Sequence, residues 1–425
     1  MKQLTAVVVG FGGRGAAYAK YAMDHPEELA IVAAADPNPM RRETAARRHN
    51  IPQQHLYATW QDLAAQPKMA DFAILATQDN MHYEPALALI EKGYHLLLEK
   101  PMAPTPKECK EITEAAERKG VKIVVCHVLR FTPFWHAVKN VIDEGRIGKV
   151  MSVIGSENVG HIHQSHSFVR GPWRNTEEST CMIMAKCCHD MDILQWVIGD
   201  KCTHVQSFGH LSHFRKENQP AGAPDRCAEG CPHADTCHYN AVRIYNDENC
   251  ELWTWGRRAA AGTVDDPTAE QIQQAIENGP YGRCVYACDN DVVDHQIVNL
   301  QYANGCTVSF TMSAFNQGGR FIHLFGTEGE LVCNRDQSAL ELFSFDTMKW
   351  ETIPVEEFGN TITSGHGGGD TGIMVDTLSL LRGETPSNSI CEVRTSYENH
   401  LTGFAAELSR LENRVVSLAE YEKNL

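Results

Sequence analysis

The sequence predicts an α/β protein in two parts. An N-terminal doubly wound parallel sheet is followed by an α+β half with a large, mainly antiparallel open sheet. Three observations carry this expectation. The chain has 425 residues, more than one ordinary compact core accommodates. Up to about residue 128, strand-like and helix-like segments alternate, the rhythm of parallel strands covered by helices on both faces. Beyond that point strand-like runs follow one another, with hairpin chemistry in "YANGCT" and "GTEGE". The expected division is therefore 1–128 and 129–425.

In order, "LTAVVVG" is a short β-branched run that ends in glycine, and "GRGAAYAKYAM" has helical composition. "LAIVAAAD" reads as a second strand closing on Asp36, and "PNPMRRETAARRHN" opens with proline and turns helical. "DFAILAT", "HLLLEK" and "VKIVVCHV" continue as strands, with the helical "YEPALALIEKG" and "TPKECKEITEAAERKG" between them. After the helix "TPFWHAVKNVIDEG" come the strand-like "KVMSVIGSENVG", "THVQSFGHLSHF", "HQIVNLQYANGCTVSFTMSA", "RFIHLFGTEGELVCN" and "LELFSFDTMKWETIPV". A polar, cysteine-bearing insertion at about 215–290 interrupts them and holds one helix near "PTAEQIQQAIENG". The chain returns to helix at "ENHLTGFAAELSRLENRVVSLAEYEKNL".

A net charge of −16 and a pI near 5.7 argue against a nucleic-acid or anionic-membrane partner, because phosphate attraction needs clustered Lys and Arg. No run approaches the ~20 apolar residues of a bilayer span. The apolar start enters a glycine turn where a leader would need a cleavage site, so a cytoplasmic protein is expected. Fifteen cysteines lie mostly in apolar stretches, where a thiol acts as a small hydrophobe.

"VVVGFGGRG" places Gly10, Gly12 and Gly15 in the G-x-G-x-x-G spacing, between a strand and a helix, with Asp36 at the end of the next strand. This is the Rossmann fingerprint in its full context. The first glycine permits the turn, the second admits a pyrophosphate to the backbone, and the third lets helix pack on sheet. Asp36 would accept ribose hydroxyls and repel a 2′-phosphate, which favours NAD. Arg41 and Arg42 nearby keep NADP open.

The stretch "IMAKCCHDMDILQW", residues 183 to 196, sets polar groups into an apolar helical pattern. On one continuous helix Lys186, His189 and Asp192 share a stripe. That stripe fits a metal site, a buried structural helix or the floor of an active site.

The strand-terminal "LLLEKPMAPTPKE", following the Rossmann half, resembles the Gfo/Idh/MocA oxidoreductases, the family of glucose-fructose oxidoreductase and inositol dehydrogenase. The likeness extends over nearly the whole chain. It implies a cofactor contacted by Gly10, Gly12, Gly13, Arg14, Gly15, Asp36, Thr77, Asn80, His82, Glu99 and Lys100. It implies catalysis by Lys100 and His189, with Asp192 beside the latter. Many members carry an aspartate four residues before that histidine, where this chain has Ala185, with Lys186 one position later. Lys186 is thus a further catalytic candidate that makes the pocket more cationic, or it pairs with Asp190 across one helical turn. The loops "HIHQSHSFVRGPWRN" and "SGHGGGDTG" offer His163, His166, Arg170, Trp173, Arg174, His366 and Asp370 as substrate contacts.

The resemblance implies an NAD-dependent oxidoreductase that moves a hydride between nicotinamide and a ring hydroxyl of a sugar, glycoside or cyclitol. Two alternatives stand beside it: a redox glycosidase that oxidises, eliminates, hydrates and reduces on bound NAD, and a non-catalytic NAD sensor. A homodimer or homotetramer through the open sheet face is also implied. Separately, Cys227, Cys231 and Cys237 in "DRCAEGCPHADTCHY" are candidate ligands of a structural zinc, with Cys202, Cys250, His233 or His238 as the fourth.

Overall fold

The computed structural model describes residues 2–333, 337–355 and 368–425. Strands β1 (Leu4–Val9), β2 (Leu29–Ala35), β3 (Leu56–Tyr57), β4 (Phe72–Leu75), β5 (His95–Leu98) and β6 (Ile123–Val125) form a parallel sheet in the order β3-β2-β1-β4-β5-β6. This is the doubly wound order, with the switch point between β1 and β4 above the glycine turn. The short β3 and the helix Trp60–Ala65 were not legible in the sequence; two residues carry no periodicity.

The second sheet has nine strands. They are β7 (Val150–Asn158), β8 (Cys202–His210), β9 (His295–Tyr302), β10 (Thr307–Ser313), β11 (Gly319–Gly326), β12 (Gly329–Cys333), β13 (Ala339–Ser344), β14 (Lys349–Pro354) and β15 (Val416–Ser417). Their order is β14-β13-β12-β11-β7-β10-β9-β8-β15, and only β7 with β10 runs parallel. Burial alternates along β9 and β10, so one face meets helices and the other is open. The helix Val393–Glu412 covers the inner face against β8 and also packs on Pro106–Lys119 of the first half. Met151, Ile154, Phe208 and Ile297 stand exposed on the open face. No described helix is long and apolar enough to cross a membrane.

The division at residue 128 is crossed twice by the core. The helix Gly369–Arg382 returns to the first sheet and places Ile373, Met374 and Leu378 in one apolar cluster with Val8, Phe11 and Phe72. Val264 of the insertion joins the same cluster.

Burial also holds several histidines neutral: His127 is pushed down to about 4, His166 to about 3 with help from Arg170, and His400 to about 3 with help from His127. In the unfolded chain they titrate near 6.5. Their contribution is complete above that value and is lost as pH falls toward the folded values, because only the unfolded state then takes up protons. By pH 5 each should have given up about 2 kcal/mol. Thermal melts should therefore drop steeply between pH 6.5 and 5. An unchanged midpoint over that interval would contradict the buried, neutral assignment.

Candidate active site

The fingerprint turn is built as its sequence demands. Gly10 adopts φ +90°, and a Cβ there would lie 2.4 Å from Ala76 O; one on Gly15 would lie 2.0 Å from Gly10 O. At Gly12 the nearest atom is Arg41 Nη1 at 3.6 Å, and at Gly13 nothing lies within 4 Å. The open approach at Gly12 and Gly13, where the helix Gly13–Ala19 begins without a side-chain cap, fits a pyrophosphate. Phe11 N–H and Asn38 N–H each donate to the Asp36 carboxylate at 2.8 Å, fixing it at the ribose end. Arg41 lies 3.9 Å from that carboxylate. NAD(H) should bind more tightly than NADP(H), and Asp36→Ala should narrow the gap. Parallel fluorescence titrations with equal affinities would count against Asp36 as the selector.

From this turn a charged chain runs toward the second half. Arg14 pairs with Glu99 (2.8 Å) and Asp370 (2.6 Å), and Tyr18 O–H donates to Glu99 (2.6 Å). Burial works against the charge on Glu99, yet Arg14 and Lys100 hold its carboxyl below the usual range. Asp370, expected against substrate, is buried on Arg14 and so belongs to the cofactor side. His82 is enclosed, with its nitrogens on Pro101 O (2.7 Å) and Thr77 O (3.2 Å), so it secures the turn and presents no face to a ligand. Thr77 Oγ1 donates to Met81 O, and Asn80 is exposed beside it.

The stretch 183–196 is not one helix. Met182–Ala185 ends at Lys186, and a second helix, Cys188–Ile198, starts after Cys187. Lys100 Nζ donates to Ala185 O at 3.0 Å, capping a helix end whose carbonyls lack partners along the chain. The supposed stripe is therefore broken. Lys186 swings to Glu157 (3.2 Å), and Asp190 pairs instead with Arg320 (2.8 Å), which also pairs with Glu157 (2.6 Å). The helical-turn pairing of Lys186 with Asp190 is not the one formed.

Burial disfavours the ammonium of Lys100, but Cys188, Asp79 and Glu99 outweigh burial and raise it above its ordinary value. His189 lies edge-on to His127, with ring centres 5.9 Å apart. Asp192, expected beside substrate, is turned into the core. Its carboxylate is fully buried and taken by Arg130 (2.7 Å to each oxygen) and Asn399 Nδ2 (2.6 Å), so it anchors the helix that carries His189.

The substrate loops divide. His163 is held neutral, well below 6.5, first by burial and then by Lys186, His166, Arg320 and Lys100, so both lysines lie within its electrostatic reach. Trp255 stands edge-on to it at 5.0 Å. His166 is enclosed, bonded to Tyr245 O–H (2.6 Å) and stacked on Tyr281. Arg170 is enclosed and donates to Arg283 O (2.7 Å) and Tyr239 O (2.6 Å), binding the insertion to the domain. Trp173 is half-buried near Phe168, and Arg174 is engaged by Asp289 and Glu178. His366 lies outside the described residues.

The insertion thiols are not gathered into a ligand set. Among the described residues, only His127 with Asp192 and Cys391, and His25 with Glu27 and Glu28, have donor atoms mutually within 4.8 Å. Cys227 Sγ packs at Arg170 (3.7 Å) in one apolar cluster, while Cys237 joins another around Phe214 and Tyr239. They still lie within electrostatic reach of one another: after burial, Cys227 and Cys231 both raise the Cys237 thiol, and Cys227 and Cys237 raise that of Cys284. Cys202 lies in β8, and His233 bonds Ala221 O.

Sequence reading missed Asp79, Tyr18, Arg130, Glu157 and Arg320. Glu157 had a signal, since it shares the inward parity of β7 with Val153 and Gly155. The partners of Arg130 and Asp79 come from distant segments and left none.

Residues 4–127 match the NAD-binding Rossmann fold of the Gfo/Idh/MocA oxidoreductase family, and residues 139–361 match its C-terminal alpha/beta domain. The chain belongs to this family. It is 25% identical over 328 residues to YteT of Bacillus subtilis, an oxidoreductase by name, covering 74% of this chain and 73% of that one. It is 26% identical over 207 residues to the 2,7-anhydro-N-acetylneuraminate hydratase of Escherichia coli, covering 48% of this chain and 53% of that one. Its fold is similar to that of a levoglucosan dehydrogenase solved with NADH and levoglucosan, with TM-score 0.68, 20% identity and 98% and 99% coverage.

Proposed function

We propose that this protein is an NAD-dependent enzyme that takes a hydride from a carbinol carbon of a sugar, glycoside or cyclitol. The observation that carries the reading is the position of Lys100. Its backbone N–H bonds Glu99, which Arg14 ties to the fingerprint turn, while its ammonium rests on the helix break before His189. One residue thus bridges the cofactor side and the substrate side.

Bound NAD would supply the hydride acceptor. His189 would take the hydroxyl proton. Lys100, kept charged by its neighbours, would stabilise the oxyanion that develops, and Lys186 and neutral His163 would line the same pocket. A second reading, a redox-neutral cycle, is favoured by the charge of Lys100, which suits an enolate as well as an alkoxide. A relative whose name describes a net hydration supports it too.

The test is a panel of sugars, cyclitols and aryl glycosides, read for both NADH absorbance and aglycone release. NADH formation identifies a dehydrogenase, and aglycone release without it identifies the neutral cycle. Neither signal across the panel, with NAD bound, would leave the sensor. For assembly, the exposed apolar residues of the open sheet face are expected to pair with a second copy. Light scattering should give a dimer or tetramer mass; a monomer at micromolar concentration would remove that expectation.

A further inference from the structure

The insertion was expected to be a polar excursion ordered by a metal. Instead its middle spans the site from end to end. Trp255, at the start of the helix Trp255–Ala261, faces His163 and His166, each with ring centres at 5.0 Å. The helix ends at Gly262, whose carbonyl accepts from Asn38 Nδ2 (3.0 Å) and Arg41 Nε (3.2 Å). Those two residues flank the nucleotide cradle. Asn38 N–H holds Asp36, and Arg41 stands over Gly12 and 3.9 Å from the Asp36 carboxylate. Two further contacts fasten the segment. Val264 is buried in the apolar cluster of the first sheet, and Asp265 pairs with Arg47 (2.8 Å) and Arg48 (2.6 Å) on the helix Pro39–His49.

We propose that residues 262–265 form the outer wall of the dinucleotide site and keep NAD(H) bound from one turnover to the next. This rests on the reading of the cradle as an NAD site and, of the two reactions above, on the redox-neutral one. The segment lies across the ribose end of the cradle, bonded to Asn38 and Arg41 beside Asp36. Here the dinucleotide could leave only after Val264 is drawn from its apolar seat and the Asp265 pairs are broken. Such retention suits a reaction that returns its hydride within the cycle. The carbinol carbon is oxidised and the cofactor reduced in the first step. The ketone is reduced by the same hydride in the last, and no external oxidant is consumed.

The experiment measures nucleotide, not catalysis. Full-length protein purified without added cofactor is denatured and its released nucleotide quantified. The release of bound NADH into excess NAD+ is then followed by fluorescence. About one nucleotide per chain is expected, with release slower than turnover. Asp265→Ala combined with Val264→Ser should lower the retained fraction and speed release by about tenfold or more. Asp265→Ala alone, milder for folding, should speed it by a few-fold. Nucleotide-free protein that binds NADH but exchanges it faster than it turns over would overturn the proposal, as would unchanged release in both variants. Failure to bind NADH at any concentration would instead overturn the cofactor reading itself.

Discussion

Lys100→Met is expected to reduce turnover by about two to three orders of magnitude while leaving NADH affinity within a few-fold of the parent. The methionine keeps an unbranched chain one atom shorter and removes the charge and donors. What is lost is the interaction with the oxyanion, which exists fully only in the transition state, so kcat should fall and KM should change little. Glu99 and Arg14 on the cofactor side remain paired with each other at 2.8 Å. The vacated cap on Ala185 O is a structural cost, so the melting temperature must be measured beside the kinetics. His189→Ala should match the loss in kcat, and the double variant should fall by much less than the product of the two, because both residues act on one hydroxyl. A loss of only a few-fold from both single variants would refute the assignment.

Arg130→Ala should destabilise the fold by about 3–5 kcal/mol. Arg130 and Asp192 are both buried, and the guanidinium meets each carboxylate oxygen at 2.7 Å. Burial opposes the charge on Asp192, and Arg130, then His127, keep its carboxyl below the ordinary range. Removing the arginine leaves a buried carboxylate with Asn399 and Cys391 as its hydrogen-bond donors among the described residues and His127 at 3.7 Å. Replacing both members, as Arg130→Met with Asp192→Leu, should cost less than the single change, since no orphaned charge remains. Urea unfolding of the three variants decides it. If Arg130→Ala loses less than about 1 kcal/mol, the pair is not the anchor of the His189 helix.

The first sheet was largely legible because each of its long elements writes its own period. β1, β2 and the helices Pro39–His49 and Pro106–Lys119 fall where glycine, proline and apolar spacing put them. The Asp36 and glycine positions were legible for the same local reason. Asp192 and Lys186 were not, because their roles depend on Arg130 and Glu157, 62 and 29 positions away in the chain. The helix break at Lys186 and Cys187 could not be read, because no glycine or proline marks it. It coincides with a tertiary contact, the Lys100 cap. The packing of the insertion cysteines was not legible, because a turn-rich context suggested thiols with no packing role. The fold gives Cys227 and Cys237 separate apolar seats.

The return of the helix Gly369–Arg382 to the first sheet bears on how the chain is made. Ile373, Met374 and Leu378 seal the same cluster as Val8, Phe11 and Phe72, and Val264 seals another part of it. While a ribosome is still translating the second half, the nucleotide-binding half has all its strands but an unsealed apolar flank. It cannot close as an independent unit until residue 378 has emerged. A gene fragment that stops at residue 128 should accordingly yield an aggregating product, although it encodes every strand of that sheet. The nascent chain must be shielded until that helix has emerged, which makes chaperone capacity and translation speed levers on the yield of this protein.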